Sequence, residues 1–225
     1  MLVLGIESSH SIASVAIIDE NRVIGEMTFQ ADKNHSVILA PMVADILKYS
    51  KLTLKDLTAI GVDSGPGSFT GIRIGVALAA SLAYGGDLPL VKVSSLEALA
   101  VLDFKYDPDA VVIPLIHGRK NEYYTSVDGQ EKVVVLEDFL NGLDRSKKYL
   151  LIGDIDKSLI DSLCINGLNI EILDNDEAGA TGVKVARKAM ELYLAGDFSL
   201  ATEAKANYLR RPEIDIKLDG KNVQD

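Results

Sequence analysis

The chain has few cysteines, few aromatic residues and a deficit of positive charge. Its one cysteine, Cys164, excludes an internal disulfide and a metal site built from several thiolates. The longest apolar runs, such as residues 110–116, are far shorter than the ~20 residues of a membrane-spanning helix. The N-terminal residues lack the basic and long apolar segments of a signal peptide. These absences predict a cytoplasmic protein without a membrane partner.

The shortage of positive charge also argues against binding of nucleic acid. Lysine and arginine number 23 against 33 aspartate and glutamate residues, so the formal net charge is −10. Affinity for nucleic acid rests largely on cationic side chains that release counterions from phosphates. The basic pairs at 147–148 and 210–211 are short and are interpreted as solvated surface charge. The sequence therefore predicts no strong direct binding of nucleic acid.

The apolar pattern of the first hundred residues alternates strands with helices. Three β-rich runs separated by short turns indicate an antiparallel meander, and the following helices and strands alternate. The predicted order is strands 2–8, 12–19 and 23–30, helix 36–50, strand 58–64, helix 69–84, strand 89–93 and a short helix from Ser95.

The second half repeats this order in a weaker form. The prediction is strands 110–116, 122–128 and 132–136, a helix near 138–143, strand 149–152, a helix near 156–163, strand 169–173 and a helix over 182–194. One unit used twice predicts an α/β protein with the duplicated ribonuclease-H-like fold of actin, Hsp70 and the sugar kinases. The predicted lobes are 1–104 and a reduced 105–212, followed by a polar tail, 213–225.

The segment SGPGSFTGIRIG, residues 64–75, places flexible backbone directly before a helix. Such a turn either cradles a phosphate or lets another backbone approach closely. It lacks the Lys-Ser/Thr ending of a P-loop, Thr70 replaces the third glycine of GxGxxG, and Pro66 replaces the first glycine of a nucleophile elbow. Close packing is therefore the preferred interpretation. The predicted turn into the helix comprises Gly65, Pro66, Gly67, Ser68 and Thr70, with Ser68 or Thr70 as its cap.

The histidines show no metal-binding pattern. His10, His35 and His117 are the three histidines, no two have helical spacing, and HExxH is absent. No metal site is predicted, although the spacing leaves open a three-histidine site assembled in space.

Several segments resemble one family. VLGIESSHSIASVAIID, HSVILAPMVADIL, GPGSFTGIRIG and YLR at 208–210 are similar to the TsaB (YeaZ) proteins. The resemblance implies a noncatalytic paralogue of the TsaD subunit that is required with TsaD for making N6-threonylcarbamoyladenosine in transfer RNA. It implies a TsaD-type partner, a TsaE-type ATPase reached through the complex, a homodimer when the chain is alone, and no cofactor.

The resemblance also assigns the contact surface to the helices 36–50 and 69–84. In the second helix, small residues recur every four positions and so share one face. The predicted partner-binding residues are Leu39, Met42, Val43, Ile46, Gly71, Arg73, Gly75 and Ala79.

A nucleotide-binding phosphotransferase of the sugar-kinase type is the alternative, and a plain homodimeric scaffold is a third. In the duplicated fold the first hairpin of each lobe contacts phosphate. The residues that would bind ATP or ADP weakly are Glu7, Ser8, Ser9, Gly118 and Arg119. His117 stands where the family usually has an acid, and Ala206 stands where a proline usually precedes YLR. Without a second-lobe carboxylate, ATP hydrolysis is not expected.

Overall fold

The structure, a computed structural model, describes residues 1–32, 34–102, 105–155, 167–174 and 179–200. The first lobe contains β1 (Val3–Glu7), β2 (Ile12–Ile18), β3 (Val23–Gln30), α1 (His35–Ser50), β4 (Ala59–Asp63), α2 (Phe69–Gly86), β5 (Leu90–Val93) and α3 (Ser95–Leu99). It is followed by β6 (Ala110–His117), β7 (Glu122–Val127), β8 (Gln130–Val135), α4 (Leu136–Asn141), β9 (Lys148–Gly153), β10 (Asn169–Asp174) and α5 (Gly182–Leu194).

Two five-stranded sheets repeat one topology. The first has the order β3-β2-β1-β4-β5, and the second has the order β8-β7-β6-β9-β10. In each sheet the first three strands in sequence pair antiparallel, and the remaining two are parallel to the first. The same order in both sheets confirms the predicted duplicated ribonuclease-H-like fold.

The sequence located the elements well. The structure bears out each predicted helix and strand within the described residues, with bounds that shift by up to two residues. The predicted helix near 156–163, the tail 213–225, and the segment YLR with Ala206 lie outside the described residues.

The sheets and helices form layers because side chains alternate across each strand. Leu4 and Ile6 belong to the core beneath α1 and α2, whereas Val3 belongs to the core that contains α3 and α5. In β9, Leu150 faces that shared core, and Leu151 faces the core on the α4 side. The helices α3 and α5 therefore lie between the sheets, and α1 and α2 cover the outer side of the first sheet.

Small residues let α5 pack tightly on the first sheet. A Cβ on Gly5 would lie 2.1 Å from the carbonyl oxygen of Gly182, and one on Gly61 would lie 2.4 Å from the Cβ of Ala189. The Gly182 amide also donates to Ser14 Oγ at 2.9 Å. The predicted division at 104/105 assigns α5 to the second lobe by sequence, but α5 packs on the sheet of the first.

Candidate functional site

The glycine turn packs against its own lobe. Gly65 has φ +101°, a conformation that favours glycine. A Cβ on Gly67 would lie 2.5 Å from the carbonyl oxygen of Ser9, and one on Gly71 would lie 2.0 Å from that of Ser8. Gly71 N donates to Ser68 Oγ at 3.3 Å, so Ser68 caps α2. The glycines are needed for close packing, and the neighbour is the turn between β1 and β2.

The structure places most of the predicted partner-binding residues inside the first lobe. In α1 and α2, the side chains that sequence assigned to a partner lie in the core of the first lobe because they face its sheet. These residues are Leu39, Met42, Val43, Ile46, Gly71, Gly75 and Ala79. Gly75 illustrates the reason, because a Cβ there would lie 2.1 Å from Ser8 Oγ. Arg73 alone among the predicted residues is exposed, with its guanidinium 4.0 Å from the centre of the Phe69 ring.

The opposite sides of the same helices expose apolar residues. Val37 is 67% exposed on α1, and Tyr84 is 77% exposed on α2. Between its ends α2 carries one ionisable charge among 18 residues, that of Arg73. Eight of the exposed residues on these helices define what is called the outer face below: Val37, Ala40, Pro41, Ala44, Phe69, Arg73, Ala77 and Tyr84.

The helix α2 is also long and apolar enough, by length and composition, to cross a membrane, which the apolar runs of the sequence did not predict. One third of the helix is buried. Because these buried residues form part of the core over the first sheet, we interpret α2 as a core helix with an apolar exposed side.

A buried polar cluster lies where β1 and β4 end side by side. Glu7, the last residue of β1, is fully buried, and Glu7 Oε1 accepts hydrogen bonds from the Ser9 amide and the Ser9 hydroxyl, both at 2.8 Å. His10 Nδ1 lies 3.0 Å from the same oxygen. The Ser9 hydroxyl also contacts Asp63 Oδ2 at 3.0 Å, and Ser95 Oγ donates to Asp63 Oδ1 at 2.5 Å. Parallel pairing of β1 with β4 brings these two carboxyl groups together.

The environment separates the pKa values of these two acids. Burial alone raises the pKa of Glu7, but hydrogen bonds from Asp63 and His10 outweigh it and lower the pKa to about 2. Burial and the negative charge of Glu7 raise the pKa of Asp63 well above its ordinary value. Burial lowers the pKa of His10, but its contact with Glu7 prevails and raises it. Glu7 is therefore the stronger acid of the pair.

The cluster does not form a nucleophilic triad. In such a triad the acid and the nucleophile contact opposite nitrogens of the histidine ring. Here Ser9 Oγ, at 2.8 Å, and Glu7 Oε1, at 3.0 Å, both contact His10 Nδ1. The geometry therefore gives no support to a serine hydrolase at Ser9.

A cleft of about 670 Å³ opens between the lobes above this cluster. All three histidines line it, together with Asp32, Asp154 and the residues Ser9, Ser11, Gly67, Ser68, Thr70, Gly71 and Ile116. His35 Nε2 contacts the carbonyl oxygen of Ile12 at 3.1 Å, and His117 Nε2 contacts that of Lys120 at 2.9 Å. The three rings share the cleft, but they do not form a close metal-ligand group among the described residues.

Asp154 corrects the expectation that the second lobe offers no carboxylate. β6 and β9 are parallel with Leu115 beside Gly153, so Asp154 follows at the same end of the sheet. The His117 amide donates to Asp154 Oδ2 at 3.1 Å. Asp154 occupies in the second lobe the position that Asp63 has in the first. The second lobe thus offers a carboxylate 37 residues beyond His117 in sequence.

Comparisons with known proteins decide the family. The model of the TsaD family, described as tRNA N6-adenosine threonylcarbamoyltransferase, matches residues 22–206. The TsaB protein of Bacillus subtilis is 35% identical over 71% of this chain and 73% of its own length. The chain belongs to the TsaB (YeaZ) family. The TsaB protein of Haemophilus influenzae is 36% identical over 59% of this chain, and the match spans 56% of that relative.

A solved structure agrees at the level of the fold. YeaZ from Pseudomonas aeruginosa has a TM-score of 0.76 and 23% identity, covering 92% of this chain and 99% of that one. In this TsaB-family chain, the residues predicted to bind nucleotide do not all lie at the cleft. Ser9 lines the cleft, Glu7 and Ser8 are buried beneath it, and Gly118 and Arg119 are not among its lining residues.

Asp63 and Asp154 are the site residues that sequence reasoning missed in this TsaB-family chain. A signal was present, because AIGVD at 59–63 and LLIGD at 150–154 are similar segments at equivalent strands of the two repeats. Aligning the two repeats by sequence pairs the two acids.

Proposed function

We propose that the chain is a noncatalytic subunit in the biosynthesis of N6-threonylcarbamoyladenosine in transfer RNA, and that it activates a TsaD-type threonylcarbamoyltransferase by binding to it. The names of its TsaB relatives support the pathway. The observation that carries the proposal of a docking subunit is the outer face, where two adjacent helices expose apolar side chains on the outside of the first lobe.

The outer face suits a protein partner. Exposed apolar patches rimmed by polar residues are typical of interaction sites. Tyr84 and Phe69 offer large rings, and alanines at 40, 44 and 77 let a second pair of helices approach closely. Arg73, beside the Phe69 ring, offers a cation at the edge. Aromatic and arginine side chains contribute most to binding energy at many interfaces.

Activation requires that the chain bind one state of its partner more tightly than the other. A subunit that contacts only the competent conformation shifts the partner toward that conformation. The same outer face pairs with a second copy when the partner is absent. A TsaE-type ATPase joins through the complex, in the cytoplasm, and the chain itself needs no strong contact with nucleic acid because its net charge is −10.

Sedimentation of the chain alone and mixed with a TsaD-type subunit tests the proposal. The informative variant is Ala77→Arg, since Ala77 belongs to the outer face and is exposed near the middle of α2. Its matched control is Ala195→Arg, at the exposed end of α5. We expect wild type and Ala195→Arg to form a heterodimer, and Ala77→Arg to remain separate with an unchanged circular dichroism spectrum. Equal binding by both variants would show that the outer face is not the docking surface.

The cleft favours a second candidate function, weak binding of ATP or ADP. Hydroxyl groups of Ser9, Ser11 and Thr70 line it beside the N-terminus of α2, where backbone amides favour anions. Titration with ATP tests this candidate, and turnover would support the phosphotransferase alternative. A plain homodimeric scaffold would sediment as a homodimer both alone and when mixed with the TsaD-type subunit.

A further inference from the structure

The buried cluster at the ends of β1 and β4 has the composition of a metal site. Glu7, His10 and Asp63 each offer one ligand atom, and these three atoms lie within 4.8 Å of one another. Within the part of the chain that the structure describes, this is the one group of metal-type ligands so close together. We propose that Glu7, His10 and Asp63 bind a divalent cation of the Mn²⁺ type at the floor of the interlobe cleft.

The spacing of the donor atoms matches adjacent ligands of an octahedral ion. At a metal–ligand distance of ~2.1 Å, two neighbouring ligands lie about 3.0 Å apart. Glu7 Oε1 and His10 Nδ1 are 3.0 Å apart, and Ser9 Oγ is 2.8 Å from each of them. Asp63 Oδ2 lies 3.0 Å from Ser9 Oγ. The Ser9 hydroxyl thus completes a triangle of donors with Asp63 beside it.

An unsatisfied atom points to a ligand independently of this spacing. Glu7 Oε2 has no hydrogen-bond partner, although Glu7 is fully buried. A buried carboxylate oxygen without a partner is costly, and such groups call for an unseen water or ion. The contacts of Glu7 with Ser9 and His10 converge on its other oxygen, Oε1. A cation bound by both oxygens of the Glu7 carboxylate would satisfy Oε2 and also join the donor triangle at Oε1.

The donor types select the ion. Two carboxylates, a hydroxyl and one imidazole suit Mn²⁺ or Mg²⁺, and the imidazole nitrogen favours Mn²⁺. Ser9 and His10 line the cleft, so an ion reaches the cluster from there. The sequence missed this site because its expectation rested on histidines at helical spacing, whereas these ligands come from a turn and from two strands.

Metal binding to the full chain tests the proposal, with Mn²⁺ as the probe. The chain is stripped with a chelator and titrated with Mn²⁺ while electron paramagnetic resonance measures the free ion, and pulsed spectra detect nitrogen bound to the metal. The variants are Asp63→Asn, which removes one carboxylate from the cluster, and His10→Gln. The control is Asp32→Asn, which removes a carboxylate that lines the cleft outside the cluster. Circular dichroism checks each fold.

We expect one Mn²⁺ per chain in wild type and in Asp32→Asn, with a nitrogen coupling that His10→Gln abolishes. Loss of one ligand should weaken binding at least ~10-fold, since even outer-sphere partners change affinity by that factor. Absence of stoichiometric binding would overturn the proposal. So would binding that Asp63→Asn and His10→Gln leave unchanged, or that Asp32→Asn removes. The docking experiment does not involve these residues, so the two proposals stand or fall separately.

Discussion

Replacing Gly75 by alanine tests whether the small face of α2 belongs to the core. The added Cβ would lie 2.1 Å from Ser8 Oγ, so the hydroxyl must move. That hydroxyl donates to the carbonyl oxygen of Gly71 at 3.0 Å in a buried position. The substitution therefore crowds the contact between α2 and the end of β1 and breaks a buried hydrogen bond.

Three terms set the size of the effect. Overpacking costs about 1–3 kcal/mol, and the lost hydrogen bond costs about 1 kcal/mol. Alanine is the better helix former, which stabilises the variant by about 1 kcal/mol. We expect Gly75→Ala to lower the free energy of unfolding by roughly 2 kcal/mol, the sum of these terms.

Gly85 supplies the matched control, because it lies in the same helix and a Cβ there would meet nothing within 4 Å. Gly85→Ala should raise the free energy of unfolding by about 0.5–1 kcal/mol, through helix propensity alone. Urea unfolding followed by circular dichroism measures both. In a Ser8→Ala background, the nearest remaining atom of residue 8 is Cβ at 3.3 Å, so Gly75→Ala should lose most of its cost. A stabilising Gly75→Ala in wild type would refute the packing and return Gly75 to the predicted contact surface.

Three further predictions concern single contacts. Ser68→Ala should destabilise by about 1 kcal/mol because it removes the N-cap of α2, whereas Ser81→Ala should change urea stability by less than about 0.5 kcal/mol because Ser81 is exposed. Gly5→Ala should cost more than about 3 kcal/mol in the same assay, since its Cβ would lie 2.1 Å from a backbone oxygen that cannot rotate away. Tyr84→Glu should leave urea stability unchanged but weaken heterodimer formation in sedimentation, because Tyr84 is exposed on the outer face.

Local patterns accounted for the elements and for the duplication. Period-two runs predicted the strands, period-3.6 runs predicted the helices, and their repeated order predicted two copies of one unit. These signals lie within about 20 residues of chain, where backbone geometry alone fixes which side chains share a face. The turn SGPGSFTGIRIG does allow a close backbone approach, but the neighbour is the turn between β1 and β2 of the same lobe.

Such patterns do not predict which surface each helix face contacts. The stripe containing Gly71 and Gly75 is equally suited to a partner helix and to a backbone turn, and only the approach of Ser8 and Ser9 distinguishes them. Of the outer face, the prediction named Arg73 but not its other members, because periodicity identifies an apolar stripe without saying which side of the helix the sheet covers.

The sequence by itself determined the order of elements, the repeat and the family resemblance, because each depends on neighbours along the chain. The tertiary structure alone decided the cluster of Glu7, His10 and Asp63, and the approach of Asp154 to the cleft. Glu7 and Asp63 are 56 residues apart in sequence and meet because β1 and β4 pair in parallel with Ile6 beside Val62. Strand register, which depends on the packing of the whole lobe, sets such contacts.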